Sequence, residues 1–171
     1  MKKEIQISSV ELEPLAAGLG QTFIRRWDMY PRQLDTGSYL CIKKPLTQKN
    51  ILAHLRGDIT IGAYLLDPDS RASCIVIDAD DEQEYAQVAG MAASLAQRGV
   101  PTYLELSRRG GHLWFFFEVP IPGKEARSFG RGMLAAHNLP KEIELYPKQD
   151  ALRNGPGSLI RLPFGVHRKD G

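Results

Sequence analysis

Apolar positions along this chain change their spacing several times, and each change marks an element. From Glu11 to about Trp27, Leu12, Leu15, Leu19, Phe23 and Trp27 recur at threes and fours, which predicts one face of a helix. Pro14 fits the first turn of that helix, while Gly18 and Gly20 weaken its middle. Pro31 to Gly37 is rich in turn formers, and Ser38 to Lys43 alternates as a strand does. Thr47 opens a short helix, Gln48 to Leu55, with Ile51, Leu52 and Leu55 inward and Gly57 at its end. This helix is expected to pack as a lid or flank.

From Thr60 the pattern becomes period two and apolar runs. Thr60 to Leu66 and Ser73 to Ile77 flank Asp67-Pro68-Asp69-Ser70, whose Pro and Asp supply the geometry of a hairpin turn. A helix from Glu82 to Arg98, closed by Gly99, leads through Pro101 into a strand from Thr102 to Leu106, a βαβ-type unit. Arg108-Arg109-Gly110-Gly111 joins that strand as a hairpin to His112 to Val119. A helix from Lys124 to His137, a strand from Glu142 to Tyr146, a loop with Gly155-Pro156-Gly157 and a strand from Ser158 to Leu162 complete the chain. The order predicts an α+β fold: a mixed, mainly antiparallel sheet with helices on one face, in a ferredoxin- or RRM-like layout. Trp114 and Phe116 share one face of their strand and Phe115 and Phe117 the other, which predicts burial between layers.

Composition narrows the class. The 171 residues, 43% hydrophobic and 25% charged, fit one ordinary globular domain, with residues 1–45 as an N-terminal extension packed on the core. No apolar run approaches the roughly 20 residues that span a bilayer. Met1-Lys2-Lys3 is followed by Glu4, Gln6, Ser8 and Ser9, which does not read as a signal peptide, so a cytoplasmic protein without a membrane partner is expected. Cys41 and Cys74 lack the spacing of a zinc site and read as small buried hydrophobes. The net charge is only +2, yet acids crowd Asp67 to Glu84 while Lys148, Arg153, Arg161, Arg168 and Lys169 face little acid beyond Asp150 and Asp170. An acidic cluster and a basic segment in one domain suggest a nucleotide substrate, against the plainer reading of a solvated basic face.

The candidate chemistry starts at Cys74-Ile75-Val76-Ile77-Asp78-Ala79-Asp80-Asp81. Residues at i and i+2 of a strand share a face, so Asp78 and Asp80 project together where the strand leaves the core. Two neighbouring carboxylates suit Mg²⁺ or Mn²⁺, although Asp80 or Asp81 also suits a helix cap. Ser107-Arg108-Arg109-Gly110-Gly111-His112 is a tight turn whose glycines admit a close ligand and whose Ser107, Arg109 and His112 suit a triphosphate; a plain Gly-Gly hairpin is the alternative. Glu142 and Glu144 repeat the i, i+2 pattern; beside the Asp78 strand, Glu144 completes a three-carboxylate site, whereas an exposed face would make the two equivalent. Two metals held there would clamp an in-line phosphoryl transfer. Arg161 interrupts an apolar strand and calls for a phosphate or carboxylate partner, and His167, Arg168 and Lys169 follow as a basic tip suited to phosphates. Tyr146 reads as a sugar-discriminating side chain or a core tyrosine.

Ile-Val-Ile-Asp78-Ala-Asp80, Glu105-Leu-Ser107-Arg-Arg-Gly-Gly-His112-Leu-Trp, Glu144-Leu-Tyr-Pro-Lys148-Gln149-Asp150 and Ile160-Arg161-Leu-Pro-Phe-Gly-Val-His167-Arg168 follow one another in an order that resembles the archaeo-eukaryotic primase superfamily. The primase-polymerase domains of mobile-element conflict systems (the TOTE type) and CRISPR-associated operons are the most similar, and the resemblance covers roughly Leu46 to the C-terminus. It implies an RRM-like catalytic core in which Asp78, Asp80 and Glu144 bind two divalent cations, Mg²⁺ or Mn²⁺. It further implies that Ser107 and His112 contact the triphosphate, that Arg161, His167 and Arg168 assist, and that Lys148 and Gln149 lie on the nucleotide side. The chain departs from the pattern in spacing, since four residues separate Ser107 from His112 where many relatives have one. Arg109 or Gly110 then stands in for the serine. Relatives often continue into helicase or nuclease regions, so the chain fits a core excised from a longer protein.

The implied activity is DNA-template-dependent nucleotidyl transfer, making or extending primers on single-stranded DNA from NTP or dNTP, in replication, repair or CRISPR-associated defence. Helicase, nuclease or CRISPR-associated proteins are the implied partners. Two rivals stand beside it. A glycosyltransferase using Asp-x-Asp to hold a metal and a nucleotide sugar explains Asp78 and Asp80 but not Glu144 or the Gly-Gly turn. A non-catalytic RRM-like nucleic-acid-binding module would carry the acids as structure.

Overall fold

Apolar periodicity and turn chemistry produce four helices and eight strands among residues 9–107 and 109–168, which the computed structural model describes. Met1 to Ser8, Arg108 and Lys169 to Gly171 lie outside the described residues, and with them the expected readings of the basic N-terminus, of Arg108 in the hairpin and of Lys169 in the basic tip. The described chain divides into two compact units, one running up to Ala63 and resuming at Arg161, the other from Tyr64 to Ile160.

In the first unit α1 (Ser9–Phe23) begins earlier than its apolar spacing suggests, so Pro14 lies inside the helix, and Trp27 falls beyond its end, exposed. β1 (Tyr30–Gln33) occupies part of the stretch expected to be turns, because pairing with β2 (Tyr39–Ile42) satisfies its backbone. α2 (Gln48–Leu55) matches its expected bounds, and Asn50 Oδ1 accepts the Thr47 backbone N–H at 2.9 Å across its first turn. β3 (Thr60–Tyr64) extends the sheet, whose order is β2-β1-β3-β8, β8 (Leu159–Arg161) being the returning chain. Ala16, Leu19, Ile24, Ile51, Ile61 and Leu162 are among its core. Cys41 in β2 is only half-buried, which corrects its reading as a core residue, whereas Cys74 is buried; both are free thiols.

The second unit is a βαββαβ arrangement: β4 (Arg71–Ala79), α3 (Glu82–Gln97), β5 (Tyr103–Leu106), β6 (Gly111–Pro122), α4 (Gly123–Ala136) and β7 (Glu144–Tyr146). Its sheet runs β5-β6-β4-β7, the ferredoxin-like order expected, with β6 antiparallel to both β4 and β5, so the βαβ unit is split by an inserted strand. Ile75, Ile77, Leu113, Phe115 and Leu145 pack on Val88, Met91 and Leu95 of α3 and Ala126 and Leu134 of α4. Both helices therefore cover one face. The Asp67–Ser70 turn forms, with Asp67 Oδ1 accepting the N–H groups of Asp69 and Arg71. Beyond it β3 and β4 diverge into separate sheets, so the expected hairpin survives only as a Leu66–Ala72 bridge.

Candidate active site

From Cys74 to Ile77 β4 is apolar. Ile75, Val76 and Ile77 are buried, Asp78 is its first acid, and Asp80 lies just past the strand. Asp81 accepts the Glu84 N–H at 2.8 Å and is the N-cap of α3, as one of the two expected readings had it. Glu84 in turn accepts the Asp80 N–H at 2.9 Å, which ties the backbone of the Asp78–Asp80 pair to the start of the helix.

Register then assembles a row. Asp78 stands opposite His112 of β6 and opposite Glu144 of β7, and His112 stands opposite Glu105 of β5. Glu105, His112, Asp78 and Glu144 thus run straight across the sheet, on the face away from α3 and α4, because their strand neighbours Ile77, Leu113 and Leu145 point into the helix-side core. His112 is only 5% exposed. Its Nδ1 is 2.9 Å from Glu105 Oε2 and its Nε2 is 3.4 Å from Asp78 Oδ1. Trp114, buried as expected, donates its indole N–H to the same Glu105 oxygen at 3.2 Å. A carboxylate on Nδ1 keeps a proton there and fixes the ring, leaving Nε2 facing Asp78.

The two ends of the acid set differ in charge balance. Burial pushes the Asp78 carboxyl up to about 6, and the charges of Asp80 and Glu144 push the same way against His112 and Lys148. Glu144 is held below the usual carboxylate range, chiefly by Lys148 Nζ at 2.8 Å and also by the Tyr146 hydroxyl at 2.9 Å. Lys148 also lies over the Tyr146 ring, 4.6 Å from its centroid. Burial first, with Glu144 beside it, raises Tyr146 to about 12. Tyr146 therefore keeps its proton near neutral pH and donates a hydrogen bond to Glu144.

The glycine turn seats against the acid strand. A Cβ on Gly110 would fall 1.9 Å from the Ala79 carbonyl oxygen, and one on Gly111 would fall 2.3 Å from the Glu105 carbonyl oxygen and 2.5 Å from the Tyr85 ring. The room these glycines leave is filled by protein, so their first role is to let the β5–β6 hairpin close on the end of β4. Ser107 closes the turn, its N–H donating to the Gly110 carbonyl at 3.0 Å and its Oγ accepting the Gly110 N–H at 3.3 Å; Arg109 is exposed.

The expected residues separate accordingly. Asp78, Asp80, Ser107, Arg109, Gly110, His112, Glu144, Lys148 and Gln149 belong to the second unit, and Arg161, His167 and Arg168 to the first. Arg161 Nη1 donates to the Gly165 carbonyl at 3.0 Å, a backbone partner where a phosphate or carboxylate was expected. His167 lies 3.4 Å from Gln33 Nε2, and Arg168 donates through its backbone N–H to Gln33 Oε1 and through its guanidinium to the Gly57 carbonyl. Glu142 is exposed and precedes β7, so the two glutamates are not equivalent.

Sequence reasoning leaves Glu105 without a role. Its signal is the hairpin itself, since pairing Leu106 with Gly111 forces residue 105 opposite residue 112.

As a donor set, Asp78 and Asp80 fit a hard divalent cation. Both offer carboxylate oxygens, and a cation would offset both the burial and the like-charge repulsion that raise Asp78. Glu144 has both oxygens engaged by Lys148 and Tyr146, and among the described residues no three His, Cys, Asp or Glu side chains are arranged to hold a metal ion. No helix of the described residues is long and apolar enough to cross a membrane.

Two comparisons bear on this arrangement. A search among curated proteins finds no match. The family model described as "TOTE conflict system, Archaeo-Eukaryotic Primase domain" matches residues 22–171, which takes in the acid pair, the glycine turn, Glu144 and the basic C-terminal segment. The chain therefore belongs to the archaeo-eukaryotic primase family, as a domain of the TOTE conflict-system type.

Proposed function

We propose that this chain is a template-dependent nucleotidyltransferase that makes or extends primers on single-stranded DNA from nucleoside triphosphates. The observation that carries the reading is the in-register row Glu105–His112–Asp78–Glu144, with Asp80 just past the end of the strand that carries Asp78. Its family suggests nucleic-acid and nucleotide substrates and generally uses divalent metals. Asp78 and Asp80 would hold those cations, Mg²⁺ or Mn²⁺, with Glu144 as the third acid. Bound there, they would lower the pKa of the attacking 3′-hydroxyl and neutralise charge on the departing pyrophosphate. In the transfer, the 3′-oxygen forms a bond to the α-phosphorus, the bond from that phosphorus to the pyrophosphate oxygen breaks, and pyrophosphate leaves.

The chain's own residues bind and orient. Glu105 holds the His112 ring so that Nε2 faces the side of Asp78, where a ring protonated on both nitrogens would donate to a triphosphate oxygen. Lys148 supplies an ammonium beside Glu144, and Arg109 an exposed guanidinium on the turn. Arg161, His167, Arg168 and Gln149 are the remaining nucleotide-side candidates.

Primer extension and primer-free synthesis on single-stranded DNA, with NTP or dNTP in Mg²⁺ or Mn²⁺, test this. Asp78→Asn with Asp80→Asn should lower incorporation by about 10³-fold with the fold intact. Undiminished synthesis by that variant, or a wild-type protein inert under every condition, sinks the reading.

A further inference from the structure

Backbone strain in the first unit falls on an exposed side chain. After β8 the chain turns at Pro163 and Phe164, and Phe164 has φ 66°, in the left-handed region where a bulky residue is a genuine outlier. A turn led by proline gives its second central place to glycine when φ there is positive. In this chain glycine comes one residue later, for a packing reason: a Cβ on Gly165 would fall 1.9 Å from His54 Cε1. Phe164 therefore occupies the place where glycine would fit without strain. Its ring gains little burial in return, being 69% exposed.

The surrounding chain holds this turn from both sides. His54 Nε2 donates to the Pro163 carbonyl at 3.0 Å, Arg161 Nη1 to the Gly165 carbonyl at 3.0 Å, and the Thr60 hydroxyl to the Val166 carbonyl. Before the turn the Leu162 N–H donates to the Ile61 carbonyl at 3.1 Å, and after it the Arg168 N–H donates to Gln33 Oε1 at 3.0 Å. The holders come from α2, β8, β3 and β1, so the turn does not depend on any one of them. A strained residue that its surroundings over-determine, and whose side chain they leave in solvent, points to a function for that side chain.

We propose that Phe164 stacks on an unpaired base of a single-stranded nucleic acid. An exposed aromatic ring set among cationic side chains suits a strand that alternates flat bases with phosphates. Arg161 precedes the ring in the chain, His167 and Arg168 follow it, and no acid lies from Arg161 to Arg168. The Arg168 guanidinium donates to the Gly57 carbonyl, a neutral partner that leaves its positive charge in place. Every base has a ring face, so the contact would hold a strand without selecting its sequence. The proposal rests on the reading of a single-stranded substrate, but not on the chemistry at Asp78 and Asp80.

Fluorescence anisotropy on the full chain in EDTA tests this, with labelled oligothymidylate and with an abasic deoxyribose-phosphate strand of the same length as probes. Phe164→Gly is expected to bind oligothymidylate about tenfold more weakly than wild type and the abasic strand equally well. Its urea midpoint is expected to equal or exceed that of wild type, because glycine relieves the positive φ and the ring it removes is exposed. Phe164→Trp keeps a ring face and should bind oligothymidylate within about threefold of wild type. Equal affinity of Phe164→Gly and wild type for oligothymidylate overturns the proposal. So does an equal loss on the abasic strand, or a clearly lowered urea midpoint, which would make the ring part of the frame. A wild type that binds neither strand overturns it together with the single-stranded substrate. If synthesis is absent while strand binding still depends on Phe164, the transfer reading fails and this one stands.

Discussion

Two histidines in this chain are buried with both ring nitrogens engaged, and they are engaged in opposite ways. His54 accepts the Ile61 N–H at Nδ1, 3.2 Å, and donates from Nε2 to the Pro163 carbonyl at 3.0 Å. A neutral imidazole has one N–H and one lone pair, so one backbone donor and one backbone acceptor match it without charge. His112 instead lies between two carboxylates, Glu105 at 2.9 Å and Asp78 at 3.4 Å. A neutral ring cannot donate to both, so the arrangement balances only with a further proton on the ring or on Asp78, or with a ligand at that end. Backbone partners make a histidine part of the frame; carboxylate partners leave it a capacity to bind.

The largest expected effect separates the two by activity. His112→Ala should lower nucleotide incorporation by about 10³-fold, while His54→Ala, corrected for the folded fraction, changes it less than about threefold. Equal losses would erase the distinction. Stability should separate them in the other sense. His54→Ala leaves the Ile61 N–H and the Pro163 carbonyl without this partner and opens space beneath Gly165, whose Cβ would have fallen 1.9 Å from His54 Cε1. A loss of about 3 kcal/mol in urea unfolding is expected, against less than about 1 kcal/mol for His112→Gln.

Asp78 sharpens the contrast through pH. Burial, with Asp80 and Glu144, raises its carboxyl from 3.8 to about 6 in the folded protein. Its contribution therefore favours folding in full below about pH 4 and is lost as pH rises through 6. Asp78→Asn should accordingly be about 2 kcal/mol more stable than wild type at pH 8, with the gain vanishing near pH 4, while its nucleotide incorporation is expected to be lost. Urea midpoints across that range that run parallel for the two proteins would contradict the charge account. The smallest effect concerns the Glu105 side. Glu105→Gln keeps an acceptor for His112 Nδ1 but makes it neutral, as the Pro163 carbonyl is for His54, and should lower incorporation about tenfold with a displaced pH profile.

The legible parts of the fold are those carried by neighbours in sequence. The helices Gln48–Leu55 and Glu82–Gln97 follow from apolar spacing and end signals, and the βαββαβ order follows from the alternation of periods. Asp78 and Asp80 share a face because alternate strand residues do, and Asp81 caps because an acid precedes a helix there. Glu144 was legible as the choice over Glu142 through the polar Lys148 and Gln149 that follow it, but its place opposite Asp78 comes only from the pairing of the short β7 with β4.

What tertiary structure alone decided is pairing. Local pattern does not say that β3 and β4 enter different sheets, that Tyr30–Gln33 finds β2, or that Glu105 and Glu144 fall in register with His112 and Asp78 from strands on either side. Nor does it say that Arg161 and Arg168 meet backbone carbonyls. The sequence by itself determined which residues are candidates for the chemistry and which elements hold them, because spacing along one strand or helix is a short-range property. Which of those residues meet was settled by strand order and register, which depend on contacts distant in sequence that no local period encodes.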